Sequence, residues 1–426
     1  MSSWFGEGTT ATCPYRHGAR SIDRRQDPAV LGSANRLVCA RPRRGRGVSP
    51  IWTHWATSSQ LNSFRLPLHD AGTGLSGLPL GRVVRGTQFV FDPFDAYRAG
   101  IVTSPNVAVI GSIGAGKSTV VKMMVARGLE RNRSAVILDP KGEYGMLAQA
   151  RSGVVVRLGT SSWWNPFVES EGDNLNFLTA LISTARGEHL SDIERATLEQ
   201  AWRSGACSHS SRPMESLWRT CSGVDDAMAA TVRRFVMGDL AGLIDGPGPA
   251  LTNTAALVVL DMSQWWLSES LAVAALVGWN MASHRLADPT VPGYLVIDEA
   301  WALLQNEFAT TWLQGAWKLA RARGIANVAV VHRLLDADGA GELGSASRSR
   351  AVGLIRDCST YFLFCHAEGD LGAVKETIGM SELEAQYLVA LPRGSALVRY
   401  GTSSSVVHLE PTLEDLPLVD SDGAMR

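Results

Sequence analysis

The chain has 426 residues, 45% of them hydrophobic, and its 40 lysines and arginines against 41 aspartates and glutamates give a formal net charge of −1. A mean hydropathy of +0.02 excludes a mainly disordered or mainly membrane-embedded protein, and the charge balance excludes attraction to nucleic acid by global charge, leaving only local patches for such contact. Six cysteines with no C-x-x-C pair and no clustering with histidine indicate neither a zinc site nor a disulfide framework, and so a reducing compartment.

Charge is uneven along the chain. Arg16, Arg20, Arg24, Arg25, Arg36, Arg41, Arg43, Arg44 and Arg46 face only Glu7, Asp23 and Asp27 in the opening stretch. With little periodicity there, residues 1–60 read as a basic, poorly ordered tail. Glycine and proline dominate 63–86, and Thr87 to Phe94 reads as a short strand breaking at Pro93, so 61–94 forms a small β segment.

The strongest pattern follows. Asn106 to Arg131 reads NVAVIGSIGAGKSTVVKMMVARGLER, an apolar strand, a glycine-rich turn and a helix. The turn Gly111, Ser112, Ile113, Gly114, Ala115, Gly116, Lys117, Ser118 satisfies G-x-x-x-x-G-K-[ST], a P-loop, in the strand-to-helix context that the motif requires. Glycines let backbone N–H groups close around phosphate oxygens at the helix's positive end, and Thr119 adds one more first-turn amide. Lys117 is expected to reach the terminal phosphates of ATP and Ser118 to ligate Mg2+.

Ala135 to Leu138 forms the next strand and runs into Asp139-Pro140-Lys141-Gly142-Glu143-Tyr144. Charged residues at the carboxyl edge of an open parallel sheet lie where ligands bind, which makes Asp139, Lys141 and Glu143 candidates for the nucleotide site; an ordinary turn with a solvated pair is the alternative. Val154 to Leu158 is a third strand, and the aromatics Trp163, Trp164 and Phe167 beyond it read as core. From Leu175 to Leu243 the pattern turns helical, which assigns 95–172 to the first part of the core and 173–249 to an all-helical insertion.

The core resumes over 250–412. Ala256 to Leu260 is a strand ending at Asp261, a turn or cap candidate, and a long apolar helix follows from Ser268. Its most apolar window, Leu271 to Met281, is too short to span a bilayer. Tyr294 to Ile297 then ends in Asp298-Glu299, a Walker B pattern in which Asp298 would hold Mg2+ and Glu299 would draw a proton from the attacking water. A helix carrying Trp301, Leu304, Phe308, Trp312, Ala316 and Leu319 stops at Gly324, and Asn327 to Val331 is a strand ending at His332-Arg333. Tyr361 to Cys365, Ala396 to Tyr400 and Val406 to Glu410 add strands, and 413–426 is a frayed tail. Several strands fall between the P-loop strand and the Walker B strand in the chain. With the glutamate after Asp298, this favours the P-loop class in which another strand separates the two and the glutamate is the base.

GSIGAGKS, DPKGEY (Asp139 to Tyr144) and LVIDEAWALL (Leu295 to Leu304) together resemble the ATPase domain of VirB4/TraC-type conjugation ATPases, within the HerA and FtsK superfamily. FDPFDAYRAGIVTSPN from Phe91 is similar to actinobacterial members, and the resemblance covers roughly Thr87 to Glu410. It implies an α/β, RecA-like P-loop core of mainly parallel sheet flanked by helices, a homo-oligomer such as a hexamer, and ATP hydrolysis that powers type IV secretion or moves DNA. It also implies membrane components of a secretion system as partners, and a cytoplasmic protein peripheral to the inner face of the cell membrane. Two departures stand out. Members commonly end the strand after Walker B in Thr-Gln, where this chain has Val331-His332, so that His332 either takes the glutamine's place as phosphate sensor or simply caps the strand. Fewer than about ninety residues precede the core, which leaves no room for the large N-terminal domain of VirB4 proteins.

The expected chemistry is phosphoryl transfer to water, with an arginine from a neighbouring subunit neutralising developing charge; Arg323, Arg333 and Arg356 are the candidates. Three readings follow: a conjugation or type IV secretion ATPase, a HerA- or FtsK-like DNA translocator, and a nucleotide-gated assembly subunit with little hydrolysis.

Overall fold

The computed structural model describes residues 73–84, 86–159, 167, 174–204, 212–244, 255–288, 290–300, 306–332 and 346–419. The basic tail, Trp163, Trp164 and Arg333 lie outside these.

Eleven strands form one sheet. In chain order they are β1 (Leu78–Val83), β2 (Gln88–Phe91), β3 (Val107–Ile110), β4 (Ser134–Asp139), β5 (Val154–Arg157), β6 (Leu257–Asp261), β7 (Gly293–Ile297), β8 (Ile325–Val331), β9 (Thr360–Leu363), β10 (Ser395–Tyr400) and β11 (Ser403–Leu409). Their lateral order is β2-β1-β11-β10-β9-β3-β8-β7-β4-β6-β5. From β9 to β5 every neighbouring pair is parallel, whereas β10, β11, β1 and β2 extend the sheet by antiparallel pairing. β8 therefore sits between the P-loop strand β3 and the Walker B strand β7, as the glutamate-base class requires.

Side chains alternate across a pleated strand, and here both sets are buried. Ala108, Ile110, Val136 and Leu138 join one core, and Val107, Val109, Ala135 and Ile137 join the other. Burial on both faces explains why these strands read as unbroken apolar runs. Each fully buried Val, Leu or Ile stabilises by roughly 1.5–3 kcal/mol relative to exposure.

Helix α1 (Pro93–Arg98) starts where a strand end was expected, because Asp92 accepts from the amides of Phe94 and Asp95 and Pro93 occupies the first turn. Helix α2 (Lys117–Leu129) packs its apolar side on the second core. Gly128 sits so close to β7 that a β-carbon there would lie 2.5 Å from the Tyr294 ring. At its last turn Arg127 forms an ion pair with Asp415 and donates to the Pro79 carbonyl, fastening the P-loop helix to the antiparallel extension.

The stretch expected to be helical holds α3 (Asn174–Arg186), α4 (Asp192–Arg203), α5 (Pro213–Cys221) and α6 (Asp226–Met237). Ser191 and Glu194 close a capping box at the start of α4, and Asp225 caps α6. Phe177, Leu181, Leu198, Leu217 and Phe235 carry these helices into the first core, where Phe167 stacks edge-on with Trp202, as expected of a core aromatic. Helix α7 (Leu271–Arg285) is buried along nearly its whole length, which accounts for its apolar character without a membrane. No helix among the described residues is long and apolar enough to cross a bilayer. Helix α8 begins at Glu307, capped by Asn306, and runs to Ala320; its expected start at Trp301 lies outside the described residues.

The β segment at the N-terminal side is larger than its sequence indicates. Leu78–Val83 lies within the Gly/Pro-rich stretch, yet it pairs with β11 and β2, its ladder bulging between Pro79 and Gly81.

Candidate nucleotide site

The turn after β3 is held from three sides before any ligand is considered. The amide of Gly111 donates to the Val331 carbonyl (3.3 Å), that of Ser112 to Cys365 (3.0 Å), and that of Gly394 to Ala115 (3.0 Å). Gly111, with φ +156°, leaves no space for a side chain: a β-carbon would lie 2.6 Å from that of Phe364. Gly114 (φ +74°) and Gly116 (φ +118°) then turn the chain into α2 through backbone conformations that only glycine adopts without strain.

Gly116 caps α2 with no side-chain hydrogen bond. The first-turn amides of Lys117, Ser118 and Thr119 have no acceptor within the helix, and they converge with the positive end of its dipole. Such a nest of amides fits a phosphate. Ile113 projects to solvent at 84% exposure, so its contribution is backbone only.

Lys117 is buried, and its ammonium donates to the carbonyls of Gly111 and Ser112, each at 2.8 Å. Burial pushes its pKa down to about 8, against the pull of the Glu299 and Asp298 carboxylates. The Walker B carboxylates and the P-loop lysine therefore act on one another electrostatically.

The carboxylate pair is delivered by a kink. β7 ends at Ile297, and Glu299 adopts φ +51°, which costs a non-glycine residue roughly 1 kcal/mol or more. Three backbone-level bonds hold that turn: Asp298 N–H to the Leu138 carbonyl (3.2 Å), Glu299 N–H to Asp298 Oδ1 (3.0 Å) and Ala300 N–H to the Val330 carbonyl (2.9 Å). The kink removes the strand alternation that would send Asp298 and Glu299 to opposite faces. Burial, with Glu299 and Asp139 nearby, raises Asp298 to about 7. A buried carboxyl among like charges is one that a cation stabilises. With the Ser118 hydroxyl on the first turn of α2, it offers the one or two protein oxygens that Mg2+ takes beside phosphates and water.

Glu299 is opposite in character. Burial alone would raise it, but bonds from His332 and Lys141 outweigh this and hold it near 2. His332 Nε2 lies 2.6 Å from Glu299 Oε1, and Lys141 forms an ion pair with the same oxygen while its ammonium lies 5.0 Å from the centre of the Trp266 ring. His332, expected at the terminal phosphate or capping its strand, thus contacts the candidate base.

DPKGEY divides its labour. Asp139 does not reach out as a ligand would: Oδ1 accepts from the amides of Gly142 (2.8 Å) and Glu143 (3.1 Å), and Oδ2 accepts from Tyr144 (2.9 Å). It shapes the turn that presents Lys141. Burial raises its pKa, opposed by those three amides. Glu143 is half-buried and adds negative charge near Lys117 and Asp298. Tyr144 is fully buried with its hydroxyl beside Asp298, and burial lifts its pKa well above the ordinary value. Asp261 accepts from the Ser263 amide (2.9 Å), the turn role anticipated for it.

Neither described arginine candidate approaches this edge of its own chain. Arg323 lies exposed in the turn before β8, at the amino edge. Arg356 precedes β9 and donates to the carbonyls of Thr377 (3.0 Å) and Glu376 (3.2 Å).

Sequence reading missed Trp266, Tyr144 and His366. The last is 2% exposed, bonded through Nδ1 to the Phe364 carbonyl (2.6 Å), and its neighbourhood includes Lys117. Its signal was positional: Phe364-Cys365-His366 follows β9 at the same carboxyl edge as the other motifs.

Residues 101–214 match the DUF87 family, "Helicase HerA, central domain". The chain is 22% identical over 275 residues to Protein TraC of Escherichia coli (strain K12), covering 58% of this chain and 31% of TraC, so it spans less than a third of that relative. In fold it is similar to VirB4 of Thermoanaerobacter pseudethanolicus (TM-score 0.69, 21% identity, 82% of this chain and 99% of that one). It is also similar to the plasmid coupling protein TrwB in complex with a non-hydrolysable ATP analogue (TM-score 0.50, 15% identity, 79% and 96%). The fold is that of P-loop NTPases. The chain is thus similar to a HerA central domain over part of its length, to TraC in sequence and to VirB4 in fold.

Proposed function

We propose that this chain, VirB4/TraC-type by its motifs, family match and fold, is an ATP-hydrolysing motor subunit of a conjugative DNA-transfer or type IV secretion system. The observation that carries this is Glu299: at φ +51° it leaves the strand, is buried like Asp298, and with Asp298 acts electrostatically on the buried Lys117. ATP, when bound, supplies the phosphoanhydride bond and Mg2+ the charge that shields it. Amides of Gly114 to Thr119 and the Lys117 ammonium hold the phosphates, Ser118 and Asp298 hold the metal, and the Glu299 carboxylate accepts a proton from water. Lys141 and His332 orient that carboxylate through Oε1 and keep it ionised.

Charge developing on the phosphoryl oxygens is met by an arginine of a neighbouring subunit. Arg323, exposed at the opposite edge of the sheet, is suited to serve a neighbour, whereas Arg356 is engaged with the carbonyls of Thr377 and Glu376. On this reading the chain works as a homo-oligomer, such as a hexamer, peripherally at the cytoplasmic face of a membrane and through secretion components. The core over 95–172 and 250–412 carries the chemistry, and the helical insertion 173–249 packs against it.

A second reading, a DNA translocator of the HerA kind, is favoured by the family match over residues 101–214. Phosphate release with and without duplex DNA, on material sized by light scattering, separates them. The first reading expects Mg2+-dependent release that duplex DNA leaves unchanged, and the second expects stimulation. No release from an oligomeric preparation overturns both.

A further inference from the structure

The amino edge of the sheet, away from the nucleotide loop, carries a cavity. It has a volume of about 410 Å³ between α1, the turn after α2, the segment before β7 and the turn before β8. Of the eleven described residues that line it, four, Arg98, Arg131, Arg133 and Arg321, are arginines and none is acidic.

These guanidinium groups are arranged by a carboxylate beneath them. Asp95 takes Arg98 and Arg133 (3.1 Å) on Oδ1 and Arg131 (3.3 Å) on Oδ2, and Arg133 also reaches Asp92 (3.3 Å). Arg133 is buried, whereas the Arg98 and Arg131 side chains are 62% and 41% exposed. Arg321 donates to the Thr103 carbonyl (3.2 Å) and lies 6.0 Å from the Tyr97 ring centre. Arg323 is exposed in the same turn. Asp288 touches the rim by accepting from Thr290. Among the described residues, the four lining guanidinium groups meet three carboxylates, so the edge stays positive although the chain as a whole is not.

Charge alone suits any polyanion, and the walls narrow the choice. Tyr97, 39% exposed, is the one large hydrophobic residue in the lining that is open to solvent; Pro105 and Pro292 give flat, rigid sides. A ring backed by a guanidinium and flanked by arginines is the combination that stacks a base while neutralising its phosphates. A lipid surface would require exposed aliphatic side chains around the rim, and the lining has none.

We propose that this pocket seats a single-stranded nucleic acid, with one base stacked at Tyr97 and its flanking phosphates on Arg98 and Arg321. The site is remote from the Gly111 to Ser118 turn and does not depend on the hydrolytic reading.

The test titrates the full chain, without nucleotide, against a fluorescein-labelled oligothymidine of about twelve nucleotides, which suits a single-strand site, by anisotropy at several salt concentrations. In Arg98→Gln/Arg321→Gln, the slope of log affinity against log salt should become shallower by about 1.4, since each lost phosphate contact on a single strand removes about 0.7. Tyr97→Ala should bind about tenfold more weakly with its slope unchanged, because stacking releases no counterions. Arg98→Lys/Arg321→Lys should restore the slope, which a merely misfolded variant would not do. None of these residues belongs to the hydrolytic site, so phosphate release without nucleic acid should stay at the wild-type rate. Unchanged affinity and slope in the glutamine variant would overturn the proposal. So would loss of binding to phosphatidylserine vesicles while the oligonucleotide still binds normally.

Discussion

Glu299→Gln is expected to lower steady-state phosphate release by about 10²- to 10⁴-fold, the range for removal of a positioned general base, while nucleotide still binds with nearly wild-type affinity. The substitution isolates one property. Glutamine matches glutamate in size and tolerates the same φ of +51° no worse, so the kink that brings Asp298 and residue 299 together is kept. Its amide oxygen still accepts from Lys141 and His332, so the turn retains those partners. What disappears is the negative charge that takes a proton from water. Because His332 and Lys141 hold the carboxylate near 2, Glu299 is ionised throughout the neutral range, and the defect should appear equally at pH 6 and pH 8. Phosphate release in a coupled assay measures it. Hydrolysis within a fewfold of wild type would remove Glu299 from the role.

Lys117→Ala should fail earlier, at binding. The ammonium sits buried beside the amides that face a phosphate, and burial has already depressed its pKa to about 8. An incoming triphosphate raises the affinity of that site for the proton, so the charged form dominates in the complex. Each charge-assisted hydrogen bond contributes about 1.5–3 kcal/mol, and losing even one corresponds to roughly a tenfold or greater rise in Kd. Alanine also frees the carbonyls of Gly111 and Ser112 from the lysine that ties them together, so the loop loses part of its shape. A titration with a fluorescent ATP analogue reports the change directly. Tight binding by the alanine variant would mean that the amide nest alone grips the nucleotide.

Much of this site was legible because its chemistry is written in short, contiguous stretches. GSIGAGKS requires a strand before and a helix after, and Asp298-Glu299 ends an apolar strand; the order of strands between them already separates two P-loop classes. The unread parts depend on what lies beside what. β1 escaped notice because glycine and proline mask its alternation, and its partner β11 begins more than three hundred residues further on, so that Arg82 meets Glu410 only in the fold. By sequence His332 reads either as a phosphate sensor or as a cap on its strand. The lateral neighbours β8 and β7 bring its ring to Glu299, a pairing that periodicity along one strand cannot encode.

The same distinction explains Asp139 and Trp266. In sequence, Asp139 is one charge among three at a strand end. In the fold its two oxygens are committed to three amides, and it is Lys141 of DPKGEY that pairs with Glu299. Trp266 follows β6, the strand next to β4, and contributes a ring face to Lys141. Nothing in its local sequence marks that use.

The most direct test of the central claim is a structure of the full chain with a non-hydrolysable ATP analogue and Mg2+. The account predicts the terminal phosphates on the amides of Gly114 to Thr119, the metal between Ser118 and Asp298, and the Glu299 carboxylate facing the terminal phosphate. Glu299 turned away from that phosphate, or the triphosphate lodged elsewhere on the sheet, would contradict it.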